Sequence, residues 1–130
     1  MSTIKVTTLS TQDGAYSISS DTLTRAACRA WVNFDGMGTV AIRAQYNVSS
    51  ITDHGTGDYT VNFTTAMSDA NYCFSGGAGL QSSDLMCVVQ PRNSYAPTTS
   101  SCRFQVICFQ VIYNANTFYD VPTCNVAIFR

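Results

Sequence analysis

The chain contains no glutamate and only one lysine, Lys5, yet it carries 14 serines, 16 threonines and 8 asparagines among its 130 residues. Glu and Lys ordinarily fill the exposed faces of helices, whereas Thr, Val, Ile and the aromatics favour a pleated, half-buried surface. A water-soluble chain without Glu can present few amphipathic helices, so the expected fold class is all-β. The surface left to such a chain is a coat of hydroxyls and amides, which suits sheets and sugar contact without selecting either.

One domain spanning 1–130 is expected, because at this length a fold buries about two-thirds of the surface its unfolded chain exposes. Charged residues make up 12% of the chain and the net charge is −1. That is no basic field for a phosphate backbone or an anionic membrane, so nucleic acid is not an expected partner. No run approaches the roughly 18–20 apolar residues that cross a bilayer, so membrane insertion is not expected either. Residues Met1–Lys5 lack the charged start and apolar stretch of a signal peptide, so export through the usual route is not signalled.

Turn residues recur every ten residues or so between short β-branched and aromatic runs, the pattern of a sandwich or barrel. Ile4 to Leu9 reads as a short strand before a Gln12-Asp13-Gly14 turn, and 19–25 as a loop or one helical turn with a Ser or Asp cap. Cys28 to Phe34 alternates Cys28, Ala30, Val32 and Phe34 against Arg29, Trp31 and Asn33, and Asp35-Gly36 reads as a hairpin turn. The return strand, Val40 to Val48, puts Val40, Ile42, Ala44 and Tyr46 on one face. Val48 to Thr52 and Asp58 to Thr64 form the clearest hairpin, with Gly55 and Gly57 supplying positive φ. Asn71 to Ser75 and Asp84 to Gln90 read as strands joined by a flexible Gly76–Gly79 loop, and Pro91 to Ser101 as a connection. Cys102 to Tyr113 is apolar at both parities and long for one strand, so a bend or bulge is expected. Its outer apolar face calls for contact with another subunit. Asn114 to Tyr119 reads as a loop tip and Val126 to Arg130 as a closing strand.

The cysteines are Cys28, Cys73, Cys87, Cys102, Cys108 and Cys124. An even count allows three disulfides in a secreted protein. Free thiols are the expectation, since Cys102 and Cys108 share the parity of Phe104 and Val106, where a buried thiol acts as a small hydrophobe. His54 is the only histidine, and no ligand spacing for zinc is present, so no metal and no cofactor are expected. Asp53 and His54 near Ser49 and Ser50 carry the residue types of a hydrolase triad, but no G-x-S-x-G elbow accompanies them, and His54 reads as a turn residue facing water. The glycine cluster lacks the Lys-Ser/Thr of a phosphate loop, and four of the eight aspartates (Asp13, Asp35, Asp53, Asp58) read as turn residues. No catalytic residue is assigned. Asn47-Val48-Ser49 and Asn62-Phe63-Thr64 match the glycosylation triplet but fall within expected strands.

One class of feature points to binding. Tyr95 lies between Pro91 and Pro97, and Tyr113, Phe118 and Tyr119 surround Asn114, Asn116 and Asp120. Rings beside amides and a carboxylate on loops are what sugar sites use, the ring stacking on the sugar face and Asn or Asp fixing hydroxyls. The candidate receptor- or glycan-binding residues are therefore Tyr95, Asn114, Asn116, Phe118, Tyr119 and Asp120. The other reading is that these rings cap the core or fill a subunit interface.

The blocks Ala30-Trp31-Val32-Asn33-Phe34-Asp35-Gly36, Gly38 to Arg43, Tyr46 to Asp53 and Gly55-Thr56-Gly57-Asp58-Tyr59-Thr60-Val61-Asn62-Phe63-Thr64 resemble a module at the C-terminal ends of tailed-bacteriophage fibres and in small virion proteins of marine and cyanobacterial phages. Ser2–Val6 and Val126–Arg130 resemble its ends. The likeness is strong over residues 30–66 and weak over 73–125. His54 departs from it, standing where a small polar turn residue is usual, as does Ala27-Cys28-Arg29 before the Ala-Trp pair. It implies an antiparallel β-sandwich head at a fibre tip, assembled as a homotrimer, with residues 1–26 as an N-terminal segment for trimer contact or fibre attachment and 27–130 as the sandwich. Trp31 to Phe63 would then be scaffold, with recognition in loops of the variable half.

The expected function is that of a non-enzymatic tail-fibre receptor-binding protein, an adhesin for host adsorption. Its expected partners are further copies of itself, other virion proteins, and a surface polysaccharide or outer-membrane protein of the bacterium. Its expected place is the virion, after assembly in the host cytoplasm. Two alternatives stand beside it: a structural virion component such as a capsid decoration or fibre-attachment protein, and a secreted lectin-like adhesin.

Overall fold

The computed structural model describes residues 5–79, 86–110 and 115–130. Within them lie eleven strands and one short helix: β1 (Thr8–Ser10), β2 (Ser17–Ser19), α1 (Ser20–Ala26), β3 (Cys28–Asp35), β4 (Ala41–Tyr46), β5 (Val48–Asp53), β6 (Asp58–Phe63), β7 (Cys73–Gly79), β8 (Met86–Pro91), β9 (Ser101–Gln110), β10 (Ala115–Phe118) and β11 (Thr123–Phe129). The protein is all-β, and every described strand pair is antiparallel. No helix among the described residues is long and apolar enough to cross a membrane.

Two sheets share one core. In the first the order is β4-β3-β11-β7. In the second, β9 is flanked on one edge by β8 and on the other by β6 and then β10, with β5 outside β6. Period-two alternation places Ala30, Val32 and Phe34 of β3, Tyr59, Val61 and Phe63 of β6, Cys102, Phe104, Val106 and Cys108 of β9, and Cys124, Val126 and Ile128 of β11 on the buried sides. Phe34 meets Tyr59 edge-on at 5.2 Å and Phe104 at 6.2 Å, so rings from both sheets interlock at the centre.

The chain changes sheets between β4 and β5 in a single residue, Asn47, whose φ of 53° is left-handed. Its amide Nδ2 donates to the carbonyls of Arg29 (3.0 Å) and Thr65 (3.1 Å), and its Oδ1 accepts from the Thr65 N–H (2.7 Å). Asn tolerates this backbone region better than most residues, and here its side chain also pins the corner. Asn47 of the first glycosylation triplet is thus a corner rather than a strand residue.

Several expectations are corrected. A register shift at Arg43 sets Ile42 opposite Phe34 but Ala44 opposite Asn33, so the face expected to run from Val40 to Tyr46 is split between the two sides of the sheet. The β3–β4 turn is wider than Asp35-Gly36. Gly38 has the positive φ, whereas Gly36 is there because a Cβ would lie 2.6 Å from the Tyr59 hydroxyl. Gly76–Gly79 is no loop but the second half of β7, paired with β11. Gly76 lets Val89 of the other sheet approach to where its own Cβ would be, at 2.6 Å. β9 keeps one register through Gln110, with no bulge; it changes its edge partner instead, from β6 to β10 at Val106. Residues 115–118 are a strand and not a loop tip. The β5–β6 hairpin forms as expected, with Gly55 at φ 119° and Gly57 at φ 64°. Ser19 caps α1, its hydroxyl accepting from the Thr22 N–H at 3.1 Å.

The N-terminal hairpin β1–β2 and α1 contribute no residue to the buried core. Val6, Leu9, Tyr16 and Leu23 are all exposed there, Tyr16 to 78%.

Free thiols hold for four of the six cysteines. Cys28, Cys73, Cys102 and Cys124 are unpaired, but Cys87 of β8 and Cys108 of β9 lie directly opposite and form a disulfide. Adjacent strands put paired Cα atoms within bonding reach, here 4.0 Å apart, which parity alone did not reveal for Cys108. Closing a loop of sequence separation 21 is worth about 3 kcal/mol. Burial raises the Cys102 thiol and pushes Cys124 up to about 12, so neither presents a thiolate near neutral pH. A maleimide is therefore expected to reach exposed Cys73 in the native protein and leave Cys102 and Cys124 untouched. Unfolded without reductant the chain should take four labels, and six after reduction. Six before reduction would remove the disulfide; none would restore the three-disulfide reading.

Candidate functional site

The outward face of the second sheet gathers the charged and aromatic groups of this half of the chain. After β8, the Arg92 N–H donates to the Arg103 carbonyl at 2.9 Å, which brings the two arginines side by side. A turn follows, closed by Tyr95 N–H on the Arg92 carbonyl and allowed by Ser94 at φ 72°. It folds the Tyr95 ring over the Arg103 guanidinium, 3.9 Å from centroid to carbon. Arg103 in turn holds Asp58 of β6 with both oxygens, Nε to Oδ1 at 2.8 Å and Nη2 to Oδ2 at 2.9 Å. Arg92 approaches the same carboxylate at 3.4 Å and lies 5.0 Å from the centroid of the Phe118 ring. The result is a row of ring, guanidinium, carboxylate, guanidinium and ring.

The row carries one net positive charge, because two guanidiniums share one carboxylate. The Arg103 hydrogen bonds hold the Asp58 carboxyl below the ordinary range against the opposing effect of burial, and the charges of Arg103, Arg92 and His54 act in the same direction. Each cation–π contact is worth about 0.5–2 kcal/mol, depending on how far it is desolvated. Beneath the row, Gln105 is the one buried polar side chain among the described residues, 4% exposed, and its Oε1 accepts from Arg92 Nη1. Arg92 thus donates through Nη1, and Arg103 through Nε and Nη2.

Of the sequence candidates, Tyr95 and Phe118 are brought together as the two ends of this row. Tyr119 is half-exposed, and its N–H donates to the Val106 carbonyl at 3.2 Å. Asp120 is engaged inward: its Oδ1 accepts from the Gly57 N–H at 2.8 Å and from the Tyr59 hydroxyl. Burial first, and that bond next, hold the Tyr59 phenol well above its usual pKa. Asn116 sits on β10 opposite Phe109. Asn114 lies outside the described residues, as does Tyr113. Arg92, Arg103, Asp58 and Gln105 were missed. Arg103 and Gln105 carried a signal, being the polar residues in the run Cys102 to Phe109, otherwise apolar at both parities.

The residues of the possible triad are not gathered. Asp53 accepts from the Gly55 N–H at 2.8 Å, His54 shares a hydrogen bond with Thr60 at 2.9 Å, and Ser49 donates to the Asn62 carbonyl. No group of three His, Cys, Asp or Glu side chains among the described residues is placed to hold a metal ion.

Beside the row the same face turns apolar. Val88 is opposite Ile107 and Met86 opposite Phe109 across β8–β9, while Phe118 is opposite Ile107 across β10–β9. Met86 is 64% exposed, Phe118 41% and Val88 38%, and Ile107 and Phe109 are half-buried. No family model, no curated protein and no solved structure matches the chain.

Proposed function

We propose that the chain is a non-enzymatic virion protein, the β-sandwich head of a phage tail fibre, which assembles as a homotrimer and holds the virion to the bacterial surface. The observation that carries this reading is the apolar half of the second sheet's outer face. Met86, Val88, Ile107, Phe109 and Phe118 form one contiguous patch there, of a kind that monomeric domains rarely leave in water and that further copies of the chain would cover. Two sheets with interlocked inner faces support the sandwich, and the resemblance of residues 30–66 to fibre-tip modules supports the virion. In such a trimer Phe118 belongs to the interface, and Tyr95 and Tyr119 stand at its rim to touch the host. Three weak sites per head and several fibres per virion raise effective affinity by roughly 10²–10⁴ without a new contact.

Labelled protein incubated with a panel of cyanobacterial and marine bacterial strains is expected to be retained by at least one of them. The double variant Tyr95→Ala, Tyr119→Ala should weaken that retention about tenfold or more. Retention by fibreless virions and by no cell would overturn the reading in favour of a structural virion component.

A further inference from the structure

The outer face of the first sheet is largely exposed. Its register sets Tyr46, Trp31, Ala127 and Ser75 in one row across the four strands, and Ala44, Asn33, Asn125 and Gly77 in the next. Trp31 is 38% exposed in the middle of this face and Tyr46 is 58% exposed beside it. On the other side of Trp31 the neighbours are small, so the sheet is hollowed into an open trough of about 400 Å³, floored by Ala127, Ser75 and Gly77. That volume lies inside the range of about 300–1,000 Å³ common to small-molecule sites. A Cβ built on Gly77 meets nothing within 4 Å, so the space above it is open.

The polar groups of the trough are oriented. Asn33 Nδ2 donates to Asn125 Oδ1, which fixes both amides. Among the described residues, Asn33 Oδ1 and Asn125 Nδ2 have no other partner, leaving one acceptor and one donor in a lining they share with Trp31. No charged side chain lines the trough.

We infer that this trough binds an uncharged sugar, the ring of the sugar stacking on Trp31 and two neighbouring hydroxyls meeting Asn33 and Asn125. A hydroxyl both donates and accepts, so sugar hydroxyls can meet the remaining acceptor of Asn33 and the remaining donor of Asn125. The C–H face of a pyranose matches the indole, and the absence of charge in the lining selects a neutral glycan over an acidic one. This places recognition on the framework, where the sequence resemblance implied only scaffold. It rests on the host-adhesion reading for its biological setting, not for its chemistry.

Trp31 is the only tryptophan of the chain, so its emission reports occupancy directly. The purified protein is titrated with a panel of neutral oligosaccharides built from hexoses, N-acetylhexosamines and deoxyhexoses, each up to about 10 mM, a range that reaches binding as weak as 1 mM. At least one is expected to give a saturable change. Gly77→Thr, which fills the open space at an extended strand position that a β-branched residue favours, should abolish it while leaving the melting temperature unchanged or raised. Asn125→Ala should weaken it about tenfold, and Tyr95→Ala should leave it intact. No saturable change with any member of the panel, or a change that survives Gly77→Thr, overturns the inference. Cell retention separates the two readings. If no member of the panel binds but cells retain the parent and Gly77→Thr alike, the trough fails and adhesion stands; if sugar binds but no cell is retained, adhesion fails and the trough stands.

Discussion

Gly57→Ala is expected to destroy most of the stability of this fold. Gly57 is buried at φ 64°, and a Cβ there would lie 2.7 Å from the Tyr119 nitrogen, 2.7 Å from the Val106 carbonyl oxygen and 3.0 Å from the Tyr119 carbonyl oxygen. All three are backbone atoms at the seam where β10 succeeds β6 along β9, so no side-chain rotation relieves the clash. The Val106 N–H donates to the Gly57 carbonyl at 2.8 Å, and the Tyr119 N–H to the Val106 carbonyl. Strain at the backbone alone costs about 1–3 kcal/mol, and opening the seam adds to it. The sum exceeds about 3 kcal/mol, out of a total stability of about 5–15 kcal/mol for an ordinary domain. Gly38→Ala is the control: its φ of 62° is similar but nothing lies within 4 Å of its Cβ, so only about 1–2 kcal/mol of backbone cost is expected. Thermal melts should show Gly57→Ala lowered by more than about 10 °C and Gly38→Ala by a few degrees. Equal melts for the two would mean the seam is not built as described.

Asp58→Ala is expected to cost about 2–3 kcal/mol. The carboxylate is 13% exposed and faces the guanidiniums of Arg103 and Arg92, which are 19% and 29% exposed. Removing it sets two like charges against each other with no anion between them, and frees the Arg92 contact that covers Gln105. The same group makes stability depend on acid. Its folded pKa lies below the ordinary 3.8, so its contribution is fully present above that value and is lost as pH falls through the folded pKa. Asp69, held down chiefly by its hydrogen bond from Arg130, adds to the acid loss in both the parent and a variant. The gap in melting temperature between parent and Asp58→Asn should therefore be constant from about pH 7 to pH 5 and shrink below about pH 4. A gap that is absent at neutral pH, or that widens in acid, would contradict this role for Asp58.

Features within one strand or one hairpin were legible from the residues. The β5–β6 hairpin announces itself because Tyr59, Val61 and Phe63 alternate next to two glycines in a turn, and the outward parity of Trp31 follows from Ala30, Val32 and Phe34. Properties set by distant partners were not. β4 and β5 are separated by Asn47 alone yet belong to different sheets, a corner pinned by hydrogen bonds that the Asn47 amide donates to the carbonyls of Arg29 and Thr65. Glycines 76–79 read as a loop until β11 supplies the pairing and Val89 the reason for Gly76. At the site, exposed rings such as Tyr95 and Phe118 stand out in a sequence, but Arg92, Arg103 and Asp58 become one group only when β6, β8 and β9 lie side by side. Asn33 and Asn125, 92 residues apart, meet only because β3 and β11 are neighbours.

We propose that the apolar face of β8, β9 and β10 is an interface between copies of this chain. Light scattering on the protein as it leaves a size-exclusion column tests that most directly. A mass of about 42 kDa, three times the 14.1 kDa of one chain, is the result it predicts, with Val88→Asp shifting the species toward a single chain. A stable particle of 14.1 kDa at high concentration would contradict it, since Met86, Val88 and Phe118 would then stand uncovered in water.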